Sequence, residues 1–174
     1  MVGGADPDRH GALVLGELTE ERGRALPGYS DRIFRVVYQE CLDFDPSSLS
    51  SLKRMVERLS SAPSGSVGIE AVLKGGAAGN VRGIVLGVLL AQGHDVETLA
   101  VKNRGAWWQK GRIRIPGAGP VEEARETAKR WIVGLDLSAS RGGAGTESRA
   151  MHQSGLLQAA CMARYHALKL AKEL

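Results

Sequence analysis

The sequence predicts an α/β domain in which helices pack on a mixed sheet. Two patterns predict it. Short apolar runs stop at turn residues, and longer stretches carry apolar residues at helical spacing between charges. They follow one another as strand, strand, possible strand, helix, strand, helix, strand, helix, helix. A chain of 174 residues is long enough for one domain with a proper core and too short for two comfortable ones, so 1–174 is read as one domain.

Met1 to Ala5 is short and apolar and ends at Asp6, and Gly11 to Leu18 (GALVLGEL) is an aliphatic run. With the Asp6-Pro7-Asp8 turn between them, the two read as a strand hairpin. Thr19 to Pro27 reads as a polar loop. Ile33 to Tyr38 suits a third strand or the start of a helix, and periodicity does not choose. Asp45-Pro46-Ser47-Ser48 offers capping side chains and a proline ahead of Leu49, Leu52, Met55, Val56 and Leu59, which recur at helical spacing. Ser60 to Ser66, with Pro63 and Gly65, reads as a linker. Val67 to Leu73 reads as a strand that is apolar apart from Glu70. A carboxylate in a central strand is costly to bury unless it is paired or binds a metal. Glu70 is therefore a candidate functional residue.

Lys74 to Asn80 is glycine-rich, and Val81 to Gln92 reads as a helix closed by Gly93. Gly79, Gly83 and Gly87 stand four apart and share one helix face. Glycine weakens a helix, so a close approach of another backbone is expected there, from the sheet beneath or from a second subunit. Asp95 to Val101 reads as a strand. Pro120, Glu122 and Glu123 open a helix running to Ile132, and a last helix from Ser154 to Leu174 follows the glycine-rich 141–145 loop.

The longest apolar run, Ile84 to Ala91, is broken by Gly87 and is far too short for a membrane span, so no membrane association is expected. Met1 to Asp8 lacks the basic start and apolar stretch of a signal peptide. Cys41 and Cys161 lack metal-ligand spacing and read as buried thiols in a reducing compartment. The net charge of +4 is a weak pointer to nucleic acid, but its distribution says more. From Thr98 to Val121 there is no acidic residue, while Lys102, Arg104, Lys110, Arg112 and Arg114 surround Trp107 and Trp108. Cations attract phosphates and flat rings stack on bases. The plainer alternative is a solvated loop whose tryptophans return to the core.

Asp6 ends the first strand and Glu70 sits in the strand after the first helix. If those strands are neighbours, the two carboxylates meet at one sheet edge. Two converging carboxylates without cysteine or histidine nearby suit hard cations such as Mg²⁺. Each taken alone is better explained as a surface or structural acid.

These residues also carry a family resemblance. Gly4-Ala5-Asp6-Pro7-Asp8 followed by Gly11-Ala12-Leu13-Val14-Leu15 resembles the opening hairpin of RuvC-like Holliday junction resolvases. It is most similar to the monokaryotic-chloroplast resolvases of plants and algae. Pro63-Ser64-Gly65 leading to Ile69-Glu70, Gly79 to Gln92, Ala106-Trp107, Glu122-Glu123-Ala124-Arg125, Gln158-Ala159 and Tyr165 match in the same order. Gly16 to Leu49 has no counterpart. The resemblance implies a ribonuclease H-like mixed sheet with helices on both faces. It also implies a homodimer that binds four-way junction DNA and nicks it symmetrically with Mg²⁺, Mn²⁺ substituting. Asp6 is then the first metal ligand and Glu70 the second.

Three positions depart from that family. Its last helix supplies a third carboxylate where Gln158 stands here, and its histidine one turn earlier falls on Ser154, leaving His152 as a displaced catalytic candidate. A lysine that some relatives place before the acidic pair is Val121 here. Lys74, Asn80, Arg82, Lys102, Arg104, Trp107, Lys110, Arg112 and Arg114 are the residues expected along the DNA. The implied location is the chloroplast stroma or nucleoid, with a bacterial or phage-infected cytoplasm as the alternative. Two other functions stay open: a branched-DNA-binding module that does not cut, and a related nuclease acting on RNA–DNA hybrids.

Overall fold

The computed structural model describes residues 1–71, 76–100, 107–139 and 146–174. In chain order its elements are β1 (Val2–Ala5), β2 (Ala12–Arg22), β3 (Arg32–Cys41), α1 (Leu49–Leu59), β4 (Ser66–Glu70) and α2 (Ala77–Ala91). After these come β5 (Asp95–Leu99), α3 (Trp107–Lys110), α4 (Pro120–Trp131), β6 (Ile132–Val133), a 3₁₀ turn (Leu137–Ala139) and α5 (Thr146–Leu170). The strands form one sheet in the order β5-β4-β1-β2-β3-β6. β1 pairs antiparallel with β2 and parallel with β4, so the sheet is mixed.

Alternation along the strands divides the core into two layers. Leu13, Leu15, Val67 and Ile69 meet Met55 and Leu59 of α1 and Val85 and Leu89 of α2 on one face. Ala12, Val14 and Phe34 meet α4 and α5 on the other. Helices thus cover both faces, as expected. α5 is apolar on nearly every side because it lies between the sheet and α4, and it is buried from Gly155 to Leu168 apart from Gln158. It lies directly on β1: a Cβ at Gly4 would collide with the backbone of Ala159 and Ala163. The alanines at 159 and 163 serve the same close contact.

Several boundaries differ from the sequence expectation. β2 runs on to Arg22, so 19–22, expected as loop, form strand paired with β3. These residues are polar because the hairpin has left the core there. The undecided 33–38 segment is strand, fixed by pairing with β2 on one side and β6 on the other. α2 starts at Ala77 rather than Val81, and α5 starts at Thr146 rather than Ser154. Gly155 sits inside α5, where the helix rests against the His10 carbonyl and the Gly11 Cα. A Cβ at Gly83 or Gly87 would meet nothing within 4 Å among the described residues, so the sheet beneath does not explain them. Residues 72–73, 101 and 141–145 of the expected elements lie outside the described residues. Cys41 and Cys161 are buried and form no disulfide. Among the described residues no helix is long and apolar enough to cross a membrane.

Candidate active site

Ala5 of β1 lies in register with Ile69 of the parallel β4, so the next residues, Asp6 just past β1 and Glu70 at the end of β4, stand side by side at the C-terminal ends of two interior strands. The backbone holds both in place. Asp6 donates its N–H to Ala12 O at 2.9 Å, closing the hairpin. The Glu70 carbonyl accepts from Arg82 Nε at 2.9 Å, while Arg82 Nη2 reaches Thr98 Oγ1 on β5 at 2.9 Å.

Burial, reinforced by the charges of Glu70 and Asp8, pushes the Asp6 carboxyl up to about 8. Burial also raises Glu70, against the opposing pull of the Arg112 guanidinium and the Trp107 indole. Among the described residues Trp107 Nε1 makes no hydrogen bond of good geometry, so its hold on Glu70 is loose and Arg112 is the stronger opposing influence. Two neighbouring carboxyls that both resist ionisation form a site short of positive charge. Hard oxygen donors of this kind fit Mg²⁺ or Mn²⁺.

Gln158 of α5 is connected to this pair through Arg112. Its Oε1 accepts from Arg112 Nη1 at 3.0 Å, so one guanidinium links the amide to the neighbourhood of Glu70. Arg112 is backed by Glu123, 3.8 Å away, and its guanidinium lies over the Trp107 ring at 5.1 Å. Glu123 is 2% exposed and also accepts from Arg114 Nη1 at 3.1 Å and from Ile115 N at 3.2 Å.

No family model matches the sequence, and no curated protein matches it significantly. Solved structures do match. RuvC from Thermus thermophilus superposes with a TM-score of 0.55 at 19% identity, covering 99% of this chain and 96% of that one. The chain shares the RuvC fold. A second match is T. thermophilus RuvC in complex with Holliday junction substrate, with a TM-score of 0.51, 17% identity and the same coverage.

On the RuvC fold, the other expected site residues separate into groups. His152 is fully buried, and its contacts are with Asp43 and His10. Trp107 and Arg112, expected along the DNA, are 2% and 6% exposed. A ring enclosed in the core cannot stack on a base, and Arg112 is engaged by Gln158 and Glu123. The alternative that the tryptophans return to the core holds for Trp107; Trp108 is half-buried beneath Arg114, whose guanidinium is 5.2 Å from its ring. Arg82 is partly buried and tied to Glu70 and Thr98. Asn80 and Lys110 are exposed, and the Arg114 side chain is half exposed. Lys74, Lys102 and Arg104 lie outside the described residues. Sequence reasoning missed three participants: Glu123 as the anchor of Arg112, and His10 and Asp43 as companions of His152. Glu123 carried signals only as a helix opener and as part of the Glu122-Glu123-Ala124-Arg125 match, and Asp43 gave no signal at all.

Proposed function

We propose that this chain is a Holliday junction resolvase, an endonuclease that makes symmetric, metal-dependent nicks in four-way junctions and works as a homodimer. The observation that carries the reading is the adjacency of Asp6 and Glu70 at the ends of two parallel strands of a RuvC fold, both carboxyls pushed upward. Mg²⁺ held by these two carboxylates, with Mn²⁺ as a substitute, supplies charge stabilisation for displacement at a phosphodiester. Arg82 fixes the Glu70 main chain. Arg112 orients Gln158 and faces Glu70, and Glu123 holds Arg112 in turn. Lys110 and Arg114 present exposed charge for phosphates. The solvent-facing glycines of α2 supply a flat surface for a second subunit. Resemblance alone supports the plastid type and the chloroplast stroma or nucleoid; a fluorescent fusion in the source cells tests that part separately.

Gln158 favours one second reading, a junction-binding module that does not cut. An amide offers a neutral oxygen, and here that oxygen is already bonded to Arg112. Glutamate has nearly the same shape, keeps the Arg112 contact and adds the charge that a divalent cation needs. Gln158→Glu should therefore raise Mg²⁺-dependent cleavage of a labelled junction by at least ~10-fold, since even residues supporting a metal ligand change activity by 10–100-fold. Parent and variant are compared on junction, duplex and RNA–DNA hybrid across a Mg²⁺ titration. A silent parent with an active variant identifies the present chain as the binding form. Failure of both to prefer the junction over the duplex removes the resolvase reading.

A further inference from the structure

A second group of chemistry-bearing side chains lies at the same end of the sheet, on the far side of the β1–β2 turn. His10 comes from that turn, Asp43 from just beyond β3, and His152 from α5. Their ligand-capable atoms all lie within 4.8 Å of one another. Asp43 Oδ1 is 3.3 Å from His152 Nε2 and 3.9 Å from His10 Nδ1. The two imidazoles meet edge to face with centroids 5.2 Å apart.

Hydrogen bonding does not account for this arrangement. The His152 side chain is 1% exposed, yet among the described residues neither of its ring nitrogens makes a hydrogen bond of good geometry, and His10 Nδ1 makes none either. Leaving buried polar atoms unsatisfied is costly. The surroundings nonetheless hold the three residues together. Asp43 adopts a left-handed backbone (φ 32), unusual for a residue with a side chain. Arg58 Nη2 fastens that turn by donating to the carbonyls of Leu42 at 2.5 Å and Asp43 at 3.2 Å. Gly155 lets α5 settle on the His10 carbonyl, and His152, one turn earlier on the same helix face, is thereby aimed at Asp43.

We propose that His10, Asp43 and His152 form a zinc site, separate from the Asp6–Glu70 pair, that clasps α5 to the β1–β2 turn. Two imidazoles and one carboxylate are donors that zinc accepts readily and magnesium does not favour. With metal–ligand bonds of 2.0–2.1 Å, tetrahedral donors stand about 3.3 Å apart. The Asp43–His152 edge already has that length, and the Asp43–His10 edge needs only a small closing. The fourth position faces a cleft of about 630 Å³ whose lining includes Arg9, Asp43, Asp45 and Arg54, where water or an anion completes the coordination. The clasp joins the turn that follows Asp6 to the helix that carries Gln158. It rests on its own geometry and does not depend on the resolvase reading.

The test uses the full chain, stripped with a chelator and titrated calorimetrically with ZnCl₂, with MgCl₂ in parallel. One zinc per chain is expected. Asp43→Asn and His10→Ala should each weaken zinc binding by about 100-fold or more, beyond the 10–100-fold typical of residues that only support a ligand. The Asp43 side chain is 39% exposed, so its isosteric amide should leave the fold intact, which circular dichroism confirms; this variant covers the case in which His152→Ala does not fold. The double variant Asp6→Asn with Glu70→Gln should keep zinc binding. The proposal is overturned if the parent binds no zinc or if Asp43→Asn and His10→Ala bind it as the parent does. Loss of zinc in the Asp6–Glu70 double variant, with retention in Asp43→Asn, overturns it equally.

Discussion

Without a bound cation, Asp6 keeps its proton at neutral pH, because burial and the neighbouring Glu70 both oppose ionisation. In the unfolded chain the same carboxyl ionises near 3.8, and in the folded chain near 8. Between those values the unfolded state has released a proton that the native state still holds, so stability falls as pH rises through the window. The contribution is complete below about 4 and gone above about 8. Melting curves in chelator from about pH 5 to about 8 should therefore fall more steeply for the parent than for Asp6→Asn, which has no proton to lose. Mg²⁺ needs the ionised form, so the stabilisation it gives should grow with pH across the same range in the parent and vanish in Asp6→Asn. Equal pH slopes in the two proteins would remove the assigned environment of Asp6. The location of Asp6 and Glu70 was legible in the sequence because a strand edge and a lone acid in an apolar run are local signals. The Arg112–Gln158–Glu123 linkage was not, since it joins residues from a loop and two helices through side-chain contacts that no spacing records.

At the scale of elements, the basic segment resolves into a buried anchor and an exposed fringe. Arg112 faces inward, while Arg114 shares Glu123 with it and leaves half its side chain in solvent. Charge reversal at Arg114 should therefore weaken junction and duplex binding together and reduce the salt dependence of affinity by about one unit of slope. The slope of log affinity against log salt for parent and Arg114→Glu measures it directly; an unchanged slope assigns the DNA path elsewhere. Reversal at Arg112 is the wrong test, because it would also strand Glu123 and Gln158. Elements with strong local punctuation were read correctly: Ser48 caps α1 through Ser51 N, and Pro120 opens α4. Those shaped by distant partners were misread. The end of β2 is strand only because β3 pairs with it, and the first turns of α5 continue through Ser154 and Gly155 because the hairpin lies beneath them.

For the molecule as a whole, the question is what covers the outer side of the α1–α2 layer. Gly83 and Gly87 face open space, and Leu49, Val56 and Leu90 are 83%, 40% and 54% exposed on the same layer. Pro46, Gly79, Val81 and Ile84 line a shallow groove beside them. Glycine in an exposed helix interior costs about 0.8–1.0 kcal/mol relative to alanine, a loss that a close-packed second helix offsets. Symmetric nicking of a nearly two-fold junction needs two equivalent active sites, and an isologous dimer provides them. A stable interface buries more than about 1,000 Å² in total, so one inserted charge near its centre should break it. Light scattering is expected to give twice the 18.5 kDa of one chain. Leu90→Glu should return the single-chain mass while leaving the fold intact, because Leu90 projects away from the core. Gly83→Ala and Gly87→Ala should do the reverse of harm in the isolated chain, raising its stability by about 1 kcal/mol each while weakening self-association. On junction DNA the Leu90→Glu chain should lose paired nicks before it loses single ones, since the proposed site draws Asp6, Glu70 and Gln158 from one chain and only the pairing of two sites depends on the interface. A parent that stays at the single-chain mass with and without junction DNA would leave those glycines unexplained and end the dimer proposal.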